Sequence, residues 1–509
     1  YNDYWGLPFT YESSHKSWRP VSVWSFRFGK GGEIGRRLIA NVGIFCGTVV
    51  ESSMGLFGKA FRNRGEIYNT SLDYNGRETL LASELFVHRF INVLIHAAIV
   101  QVVGVVTTLL FANNRNSKQF NLLQLYTKCI PQILFAVHPV HVEAVVNVAN
   151  RPHILALLFN VTCVDPSVPL VGMAALCTLG LLTAETAIFQ FPAIALTMTA
   201  IRYRELLIVE KKNGKTDDTD EASQSTETSS PHSQKPHIVN AVISLLPRYI
   251  LLVMIALTYL LYRHYNDTLS IPKGLIRPAE NPFYDNVEKG EWTLARRAMN
   301  YSYILSLHIM KSFGVEIVGF SHEYGFECIP EILTMKDFRL ALPLVLMFVF
   351  GGMVAWSLHG WKKREERVQR IILILVFFSW MATLFPISGI LKVGTFVADR
   401  IAVASSFGTS IFGGRCLAVW ITGDQEPAEE DTVGRANRLK RRYNALLLST
   451  LIVHSLAKHT HRRAAQWMDS VPLYESSLAA CPRSIKSNLE MSKLYSGLIP
   501  HMSDLEKAL

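Results

Sequence analysis

Residues 129–143 read CIPQILFAVHPVHVE, an apolar run that ends in two histidines, a proline and a glutamate. Ionisable groups at the depth of a bilayer cost several kcal/mol and persist mainly where they face protein, water or a ligand. Pro139 also interrupts a helix and frees backbone groups that only a protein-lined or wet cavity can satisfy. His138, His141 and Glu143 are therefore predicted to line a site at the end of a membrane helix.

The composition around this stretch indicates a polytopic membrane protein. Of the 509 residues, 49% are hydrophobic and 18% are charged, and the mean hydropathy is +0.20. A membrane helix needs roughly 20 apolar residues, and several uncharged runs approach or exceed that length. These runs lie at 90–114, 166–184, 186–201, 340–361, 371–391 and 401–414. Weaker runs lie at 122–137, 144–164, 239–262 and 444–457, so about ten crossings are expected.

The distribution of charge decides between nucleic-acid binding and membrane topology. The net charge is +10, but the Lys and Arg residues concentrate at 362–370 and 435–442, between apolar runs, as in cytoplasmic loops. No aromatic stacking positions interleave with them, so a nucleic-acid partner is not predicted. The seven cysteines are scattered without CxxC spacing, and neither a disulfide framework nor a metal site is predicted from them.

Counting outward from the two basic loops assigns each segment to one side of the membrane. Every polar motif of chemical interest then lands on the luminal side, which predicts a luminal site. The segment 202–238 is a linker that is polar enough to be disordered. The predicted segments are a luminal loop with interfacial helices at 1–89, transmembrane helices at 90–201, a disordered cytoplasmic linker at 202–238, a transmembrane helix at 239–262, a luminal loop at 263–338, transmembrane helices at 339–457 and a luminal repeat region at 458–509.

The C-terminal segment changes character after the last apolar run. Trp467, Leu473 and Leu478 fall at helical spacing, Pro482 interrupts the pattern, and a second amphipathic helix follows. This pattern resembles the start of a tetratricopeptide array, whose helix pairs need stacked neighbours to bury their apolar faces. The alternative is a short amphipathic tail that lies on the membrane surface.

An ordered set of motifs resembles the TMTC family, multispan proteins with tetratricopeptide repeats that are similar to dolichyl-phosphate-mannose-dependent protein O-mannosyltransferases of the GT-C type. The matching motifs are Asn2–Gly6, Ser14–Pro20, the His88, Asn92 and His96 helix positions, His138–Ala144, Asp285-Asn286, Ser321–Gly325, and Val393-Gly394 through Arg400 to Gly408. The resemblance implies an all-α, GT-C-like transmembrane helix bundle with luminal loops in the endoplasmic reticulum membrane. It implies dolichyl-phosphate-mannose as donor, Ser/Thr-containing proteins as acceptors, membrane lipids as partners, and no cofactor or metal.

The sequence departs from the family pattern at several positions. The family usually has Lys-Glu where this chain has Ala184-Glu185, and Glu-Arg where it has Asp399-Arg400. Residues 33–83 look like an insertion, and the region after Leu158 looks shortened. An acidic pair of the first luminal loop is missing because the chain starts at Tyr1, so N-terminal truncation is expected.

The chemistry that the resemblance implies assigns roles to particular residues. Mannose transfer to a hydroxyl needs a base near the acceptor proton and cations around the departing phosphate. The predicted catalytic residues are Asp3, His138, His141, Glu143 and Glu185. The predicted donor-binding residues are His15, Lys16, Arg19, Arg296, Asp399 and Arg400.

Other interpretations of the same residues remain open. Charged residues at helix ends can merely anchor them at the interface. His138, His141 and Glu143 could ligate a metal, although the proline between the histidines breaks the helical spacing of zinc proteases. A non-catalytic membrane scaffold with partner-binding repeats is the main alternative function. A transporter would call for repeated sets of spans, which the sequence does not show.

Overall fold

The computed structural model describes residues 19–22, 25, 82–111, 122–216, 237–266, 283, 292–319, 324–325, 328–359, 364–391, 395–422 and 432–496. These residues contain helices and no β-strand, so the predicted all-α fold is confirmed for them. The α-helices are α1 (Ala82–Phe111), α2 (Leu122–Ala136), α3 (His141–Val146), α4 (Arg151–Thr162), α5 (Leu170–Thr183), α6 (Phe191–Thr216), α7 (His237–Tyr265), α8 (Leu294–Ser312), α9 (Ala341–Leu358), α10 (Arg364–Met381), α11 (Val403–Thr422), α12 (Thr432–Gln466), α13 (Ser470–Ala480) and α14 (Ile485–Tyr495). Short 3-10 helices cover Val148–Asn150, Glu185–Gln190, Phe338–Leu340, Ala382–Ile387 and Asp399–Ala402.

Five helical segments of the described chain are long and apolar enough to cross a bilayer. They are Val87–Phe111, Ile238–Tyr265, Phe338–Leu358, Val368–Ile387 and Asp399–Thr422, and each overlaps a predicted run. Three other predicted runs form α2, α4 and α5, with 15, 12 and 14 residues, fewer than the roughly 20 that a crossing needs. The remaining two lie in α6 and α12, which continue into charged sequence. Helix length thus supports fewer full crossings than the ten expected.

The predicted linker at 202–238 begins too early. α6 continues as a helix to Thr216, and α7 begins at His237. The Arg204 guanidinium donates to the Leu109 carbonyl over 2.6 Å, which ties this part of α6 to the end of α1. Polar composition predicts disorder only where no tertiary contact compensates, and here such a contact exists. Residues 217–236 lie outside the described residues.

Helix α11 lies at the centre of the bundle, between α2 and α10. A Cβ atom added at Gly408 would lie 2.6 Å from Trp380 Cβ, and one at Gly414 would lie 2.6 Å from the Pro131 nitrogen. Small residues at such contacts let two helix backbones approach closely. The Phe407 and Trp380 rings pack with their centroids 4.6 Å apart and their planes tilted by 49°. These contacts place the first turn of α11, with Asp399 and Arg400 just before it, beside the end of α2.

A disulfide joins two distant parts of the chain. Cys328, between α8 and α9, is bonded to Cys481, which follows α13, across 153 residues of sequence. The cysteine spacing did not predict this disulfide, because a pairing over that distance leaves no local sequence pattern. Helices α13 and α14 bury Ser477, Met491 and Leu494, and their identity as a tetratricopeptide start remains a prediction.

The disulfide predicts a specific gel pattern. If a protease site is introduced between residues 423 and 431, cleavage should leave the two fragments joined on a non-reducing gel, because Cys328 and Cys481 lie on opposite sides of the cut. Reductant should separate them. The Cys481→Ser variant is the control and should separate without reductant. Separation of the unsubstituted protein without reductant would contradict the pairing.

Candidate functional site

The His138 block forms a tight turn between α2 and α3 and is packed inside the protein. His138 Nε2 lies 3.0 Å from the Ser312 carbonyl, and His141 Nε2 lies 2.8 Å from Ser406 Oγ. The Ser312 carbonyl can only accept a hydrogen bond, so His138 carries its proton on Nε2. The Ser406 hydroxyl already donates to the Val403 carbonyl, so His141 also carries its proton on Nε2. Their Nδ1 atoms are buried without a hydrogen-bond partner. Both histidines are therefore core groups of the described structure, in neither case open to a substrate.

The surroundings of these histidines do not assemble a metal site in the described residues. The His96 and His141 rings lie 4.8 Å apart, and the His138 and His141 rings lie 5.2 Å apart. No group of three His, Cys, Asp or Glu side chains among the described residues has an arrangement that could hold a metal ion. Burial lowers the pKa of His138 to about 4, against a smaller opposing effect of its bond to Ser312. The neutral imidazole thus acts as a hydrogen-bond donor inside the fold.

Glu143 holds Arg400. The Glu143 carboxylate accepts a hydrogen bond from the Arg400 backbone N–H over 3.0 Å, and Arg400 Nη1 donates to it as well. Asn150 Nδ2 donates to the same carboxylate over 3.2 Å. Arg400 Nη2 donates to Thr395 Oγ1 over 3.1 Å. Because Glu143 is buried and engaged on both oxygens, its geometry suits orienting Arg400 better than removing a proton from a substrate.

Asp399 lies in a buried ion cluster. Its carboxylate is 2.9 Å from Lys311 Nζ and 3.1 Å from Arg463 Nη2, and Lys311 Nζ is also 2.5 Å from Glu316 Oε1. Burial opposes the charged form of Lys311, but Asp399, Tyr324 and Glu316 together raise its pKa. Asp399, which was predicted to bind the donor, thus accepts hydrogen bonds from Lys311 and Arg463 inside the protein. Sequence reasoning missed Lys311 and Arg463, whose local sequences carry no motif.

A second cluster surrounds Glu185. Arg263 Nη1 lies 2.9 Å from Glu185 Oε1, and Arg19 Nη2 lies 4.0 Å from Glu185 Oε2. Arg263 also donates to the Tyr259 hydroxyl over 3.3 Å. Ser22, close to Arg19, donates to the Thr183 carbonyl over 2.8 Å, which fixes the described N-terminal residues against the end of α5. Glu185 has no charged neighbour within its apolar stretch of sequence, and the fold supplies two cations as its partners.

A chain of polar contacts runs through the start of α4, near both Glu143 and the residues that follow Arg19. The buried Arg151 donates to Asn92 Oδ1 over 2.6 Å and to the Ser25 carbonyl over 3.2 Å. Asn92 in turn donates to the Val145 carbonyl over 2.9 Å, two residues from Glu143. Asn92 and Arg151 therefore join α1, α3, α4 and the residues that follow Arg19.

His153 lies in the first turn of α4. Burial and, to a smaller extent, the positive charges of Arg19 and Arg400 lower its pKa to about 3, so both guanidiniums act on its imidazole. The side chains of Arg19, Glu185 and Arg400 remain 20%, 26% and 21% exposed. The candidate site is thus formed by Arg19 and Arg400, which are both partly open, and by His153, on which both act electrostatically. His153 was missed because one histidine in an apolar helix is no pattern.

Of the remaining predicted residues, the structure describes only Arg296. Arg296 forms a 2.5 Å ion pair with Glu331, in the first turn of α8. Lys311 is fifteen residues further along the same helix, so the two are about 22 Å apart along its axis. Arg296 is therefore not brought to the Asp399 cluster, and its predicted place in the donor site lacks support. Asp3, His15 and Lys16 lie outside the described residues.

Comparison with known proteins identifies distant relatives. Protein O-mannosyl-transferase F38B6.6 of Caenorhabditis elegans is 21% identical over 97% of this chain and 53% of its own length. Protein O-mannosyl-transferase TMTC4 of Mus musculus is 22% identical over 97% of this chain and 57% of its own, and Tmtc3 of Drosophila melanogaster is 24% identical over 95% and 47%. The chain spans about half the length of the curated relatives it matches. No family model and no solved structure matches. The resemblance to the TMTC family that the motifs indicate is confirmed by these relatives.

The buried histidine predicts acid sensitivity. The folded pKa of His138 is about 4 and the unfolded value is about 6.5, so the unfolded state binds more protons between these values and stability falls as pH drops through that window. We expect the difference in melting temperature between about pH 7 and about pH 5 to shrink in His138→Gln. The exposed His461→Gln is the control and should keep the full difference. An unchanged difference in His138→Gln would rule out this contribution.

The ion cluster predicts a stability effect. Lys311→Met leaves Asp399 and Glu316 buried with one cation fewer, and breaking a buried pair in this way costs about 3–5 kcal/mol. The melting temperature in detergent should drop clearly. Lys336→Met removes an exposed lysine and should change it little. Equal melting temperatures for the two variants would mean that the cluster does not stabilise the fold.

Proposed function

We propose, on the premise that this chain is a distant relative of TMTC proteins, that it is the membrane portion of a protein O-mannosyltransferase of the endoplasmic reticulum. Mannose is transferred from dolichyl-phosphate-mannose to Ser or Thr hydroxyls of proteins at the luminal face. The observation that carries the proposal is that two partly exposed guanidiniums, those of Arg19 and Arg400, both act electrostatically on the same imidazole, that of His153. Guanidinium forks suit the binding of a phosphate group.

The arrangement supports the leaving-group half of the reaction. The acceptor oxygen attacks the anomeric carbon, the bond from that carbon to the phosphate oxygen breaks, and the electron pair remains on the phosphate. Arg400, held by Glu143, and Arg19, held beside Glu185, would stabilise that developing charge. A neutral His153 adds no repulsion between them and can donate a hydrogen bond to sugar or phosphate.

The base half of the reaction is assigned by exclusion among the predicted acids. Glu143 is buried and engaged by Arg400, and Asp399 is engaged by the buried Lys311 and Arg463. Glu185 is bound by Arg263 but keeps part of its surface open. We therefore propose that Asp3, or Glu185 in its place, removes the proton from the acceptor hydroxyl. One carboxylate base acting in a direct displacement would invert the anomeric centre.

The location at the lumen has its own support. The Cys328–Cys481 disulfide joins the segment after α8 to the hairpin of α13 and α14. Disulfides form and persist in oxidising compartments such as the endoplasmic reticulum lumen. The Asp399 cluster includes Lys311 at the end of α8 and Arg463 near the end of α12, so the candidate site lies at the membrane face where both cysteines lie.

A membrane scaffold is the second candidate function. One observation favours it. Four residues that were predicted to act in catalysis or donor binding are buried and bonded to other parts of the protein: His138, His141, Glu143 and Asp399. Such groups can survive for their structural roles alone. The two functions differ in whether purified protein transfers mannose.

Mannose transfer tests the enzyme proposal directly. The protein, reconstituted in vesicles with radiolabelled dolichyl-phosphate-mannose, is incubated with a library of Ser/Thr-containing peptides, and labelled peptides are counted. We expect transfer, and a loss of at least about tenfold in Arg400→Gln and Arg19→Gln, equivalent to about 1.4 kcal/mol of lost transition-state stabilisation each.

The exposed Arg441→Gln is the matched control and should transfer normally. Full activity in Arg400→Gln would remove Arg400 from the mechanism. A folded protein that transfers no mannose to any peptide, while its melting temperature is unaffected by the donor, would favour the scaffold.

A further inference from the structure

The last turns of α12 lie against the segment that carries Arg400 and against the buried turn that carries His138. Arg463 Nη2 donates to Asp399 Oδ2 over 3.1 Å, and Thr460 Oγ1 donates to the Val137 carbonyl over 2.6 Å, next to His138. Arg463 is buried although it carries a long charged side chain. Its position at the end of α12 is held by Gln466, which accepts from Nη1 over 2.6 Å.

The same end of α12 leads directly into the C-terminal hairpin. α13 begins at Ser470, seven residues after Arg463, and ends before Cys481, whose disulfide reaches Cys328. Gly319 lies against the end of α13, since a Cβ atom there would be 3.1 Å from Ala480 Cβ. The hairpin is thus fixed to the body of the protein by a covalent bond at the turn between its two helices and by an ion pair shortly before its first helix.

Asp399 and Arg400 form the first turn of the 3-10 helix Asp399–Ala402. Lys311 from α8 and Arg463 from α12 hold opposite oxygens of the Asp399 carboxylate. Two cations from different helices fix that carboxylate in position, and with it the backbone that carries Arg400. The backbone that carries Arg400 is therefore tied to α12 through Asp399, in addition to its own bond to Glu143.

We propose that Arg463 is a positioning residue that holds Arg400 in place through Asp399, so that the C-terminal hairpin and the phosphate-binding surface form one rigid unit. A protein segment bound by the hairpin would then be presented at a fixed distance from that surface. The catalytic part of this inference rests on the proposed function, while the positioning part does not.

Arg463→Met tests the inference, with Arg462→Met as matched control, because Arg462 is the neighbouring arginine and is exposed. The first readout is amide hydrogen exchange at residues 399–402, whose Arg400 N–H is bonded to Glu143. We expect exchange there to be at least about tenfold faster in Arg463→Met and unchanged in Arg462→Met. Arg463→Lys, which keeps the charge, should give an intermediate rate.

The second readout is the kinetics of mannose transfer. Displacement of Arg400 should raise the KM for dolichyl-phosphate-mannose by about tenfold and leave the KM for the peptide acceptor unchanged. A residue that only stabilises the fold would lower the amount of active protein and leave both KM values unchanged. The two roles therefore give different kinetic patterns.

A charge-balanced variant covers the case in which Arg463→Met does not fold. The described cluster pairs Lys311 and Arg463 with Asp399 and Glu316. The double variant Arg463→Met/Glu316→Gln removes one charge of each sign and severs the same link. It is expected to give the same two results as Arg463→Met.

Unchanged exchange at 399–402 in the folded Met variant, or in the double variant, would overturn the inference. If the unsubstituted protein transfers no mannose, the proposed function fails, yet the exchange experiment still decides the positioning role. Faster exchange together with an unchanged donor KM would restrict Arg463 to stabilising the turn and would also overturn its role toward the donor.

Discussion

The structure depends on how two adjacent residues of opposite charge are neutralised at the edge of a membrane bundle. Asp399 turns inward to Lys311 and Arg463, while Arg400 turns toward Glu143 and keeps one face open. A buried charge is tolerated only when it is paired and hydrogen-bonded. Each pairing therefore fixes a different helix: α3 through Glu143, α8 through Lys311, and α12 through Arg463. The positions of these helices relative to α11 follow from that requirement.

The sequence predicted those features that depend on short stretches of residues. Hydropathy located the spans around α1, α7, α9, α10 and α11, since length and apolar content are local properties. The break after α2 followed from Pro139 and its neighbouring histidines. The orientation of the side chains did not follow: Glu143 and Asp399 look equally available in sequence, yet both are bound by cations that lie more than sixty residues away in the chain. The partner of a buried charge is a property of the folded chain.

The same reasoning explains why the candidate site shifted within the region where it was expected. His138 and His141 attract attention because polar residues in an apolar run are unusual, but they are bound to Ser312 and Ser406 in the interior. Arg19 and Arg400 keep accessible surface, and both act electrostatically on His153. In a membrane protein, a polar residue that is conspicuous in sequence can be the support of a site, and the groups that meet a ligand can be its less conspicuous neighbours.

Helix α9 is the least buried of the five described segments that could cross a membrane. Only 6% of its most apolar window is buried within the protein, and its contact with α10 runs through Phe350, whose ring centroid lies 5.5 Å from that of Phe377 and 5.4 Å from that of Phe378. Acyl chains solvate such a helix as well as leucine side chains do, so apolar burial contributes little to the free energy of its association with the bundle. Its annular lipid is then part of its solvation shell, and harsh delipidation would dislodge α9 before it disturbed the helices that surround α11.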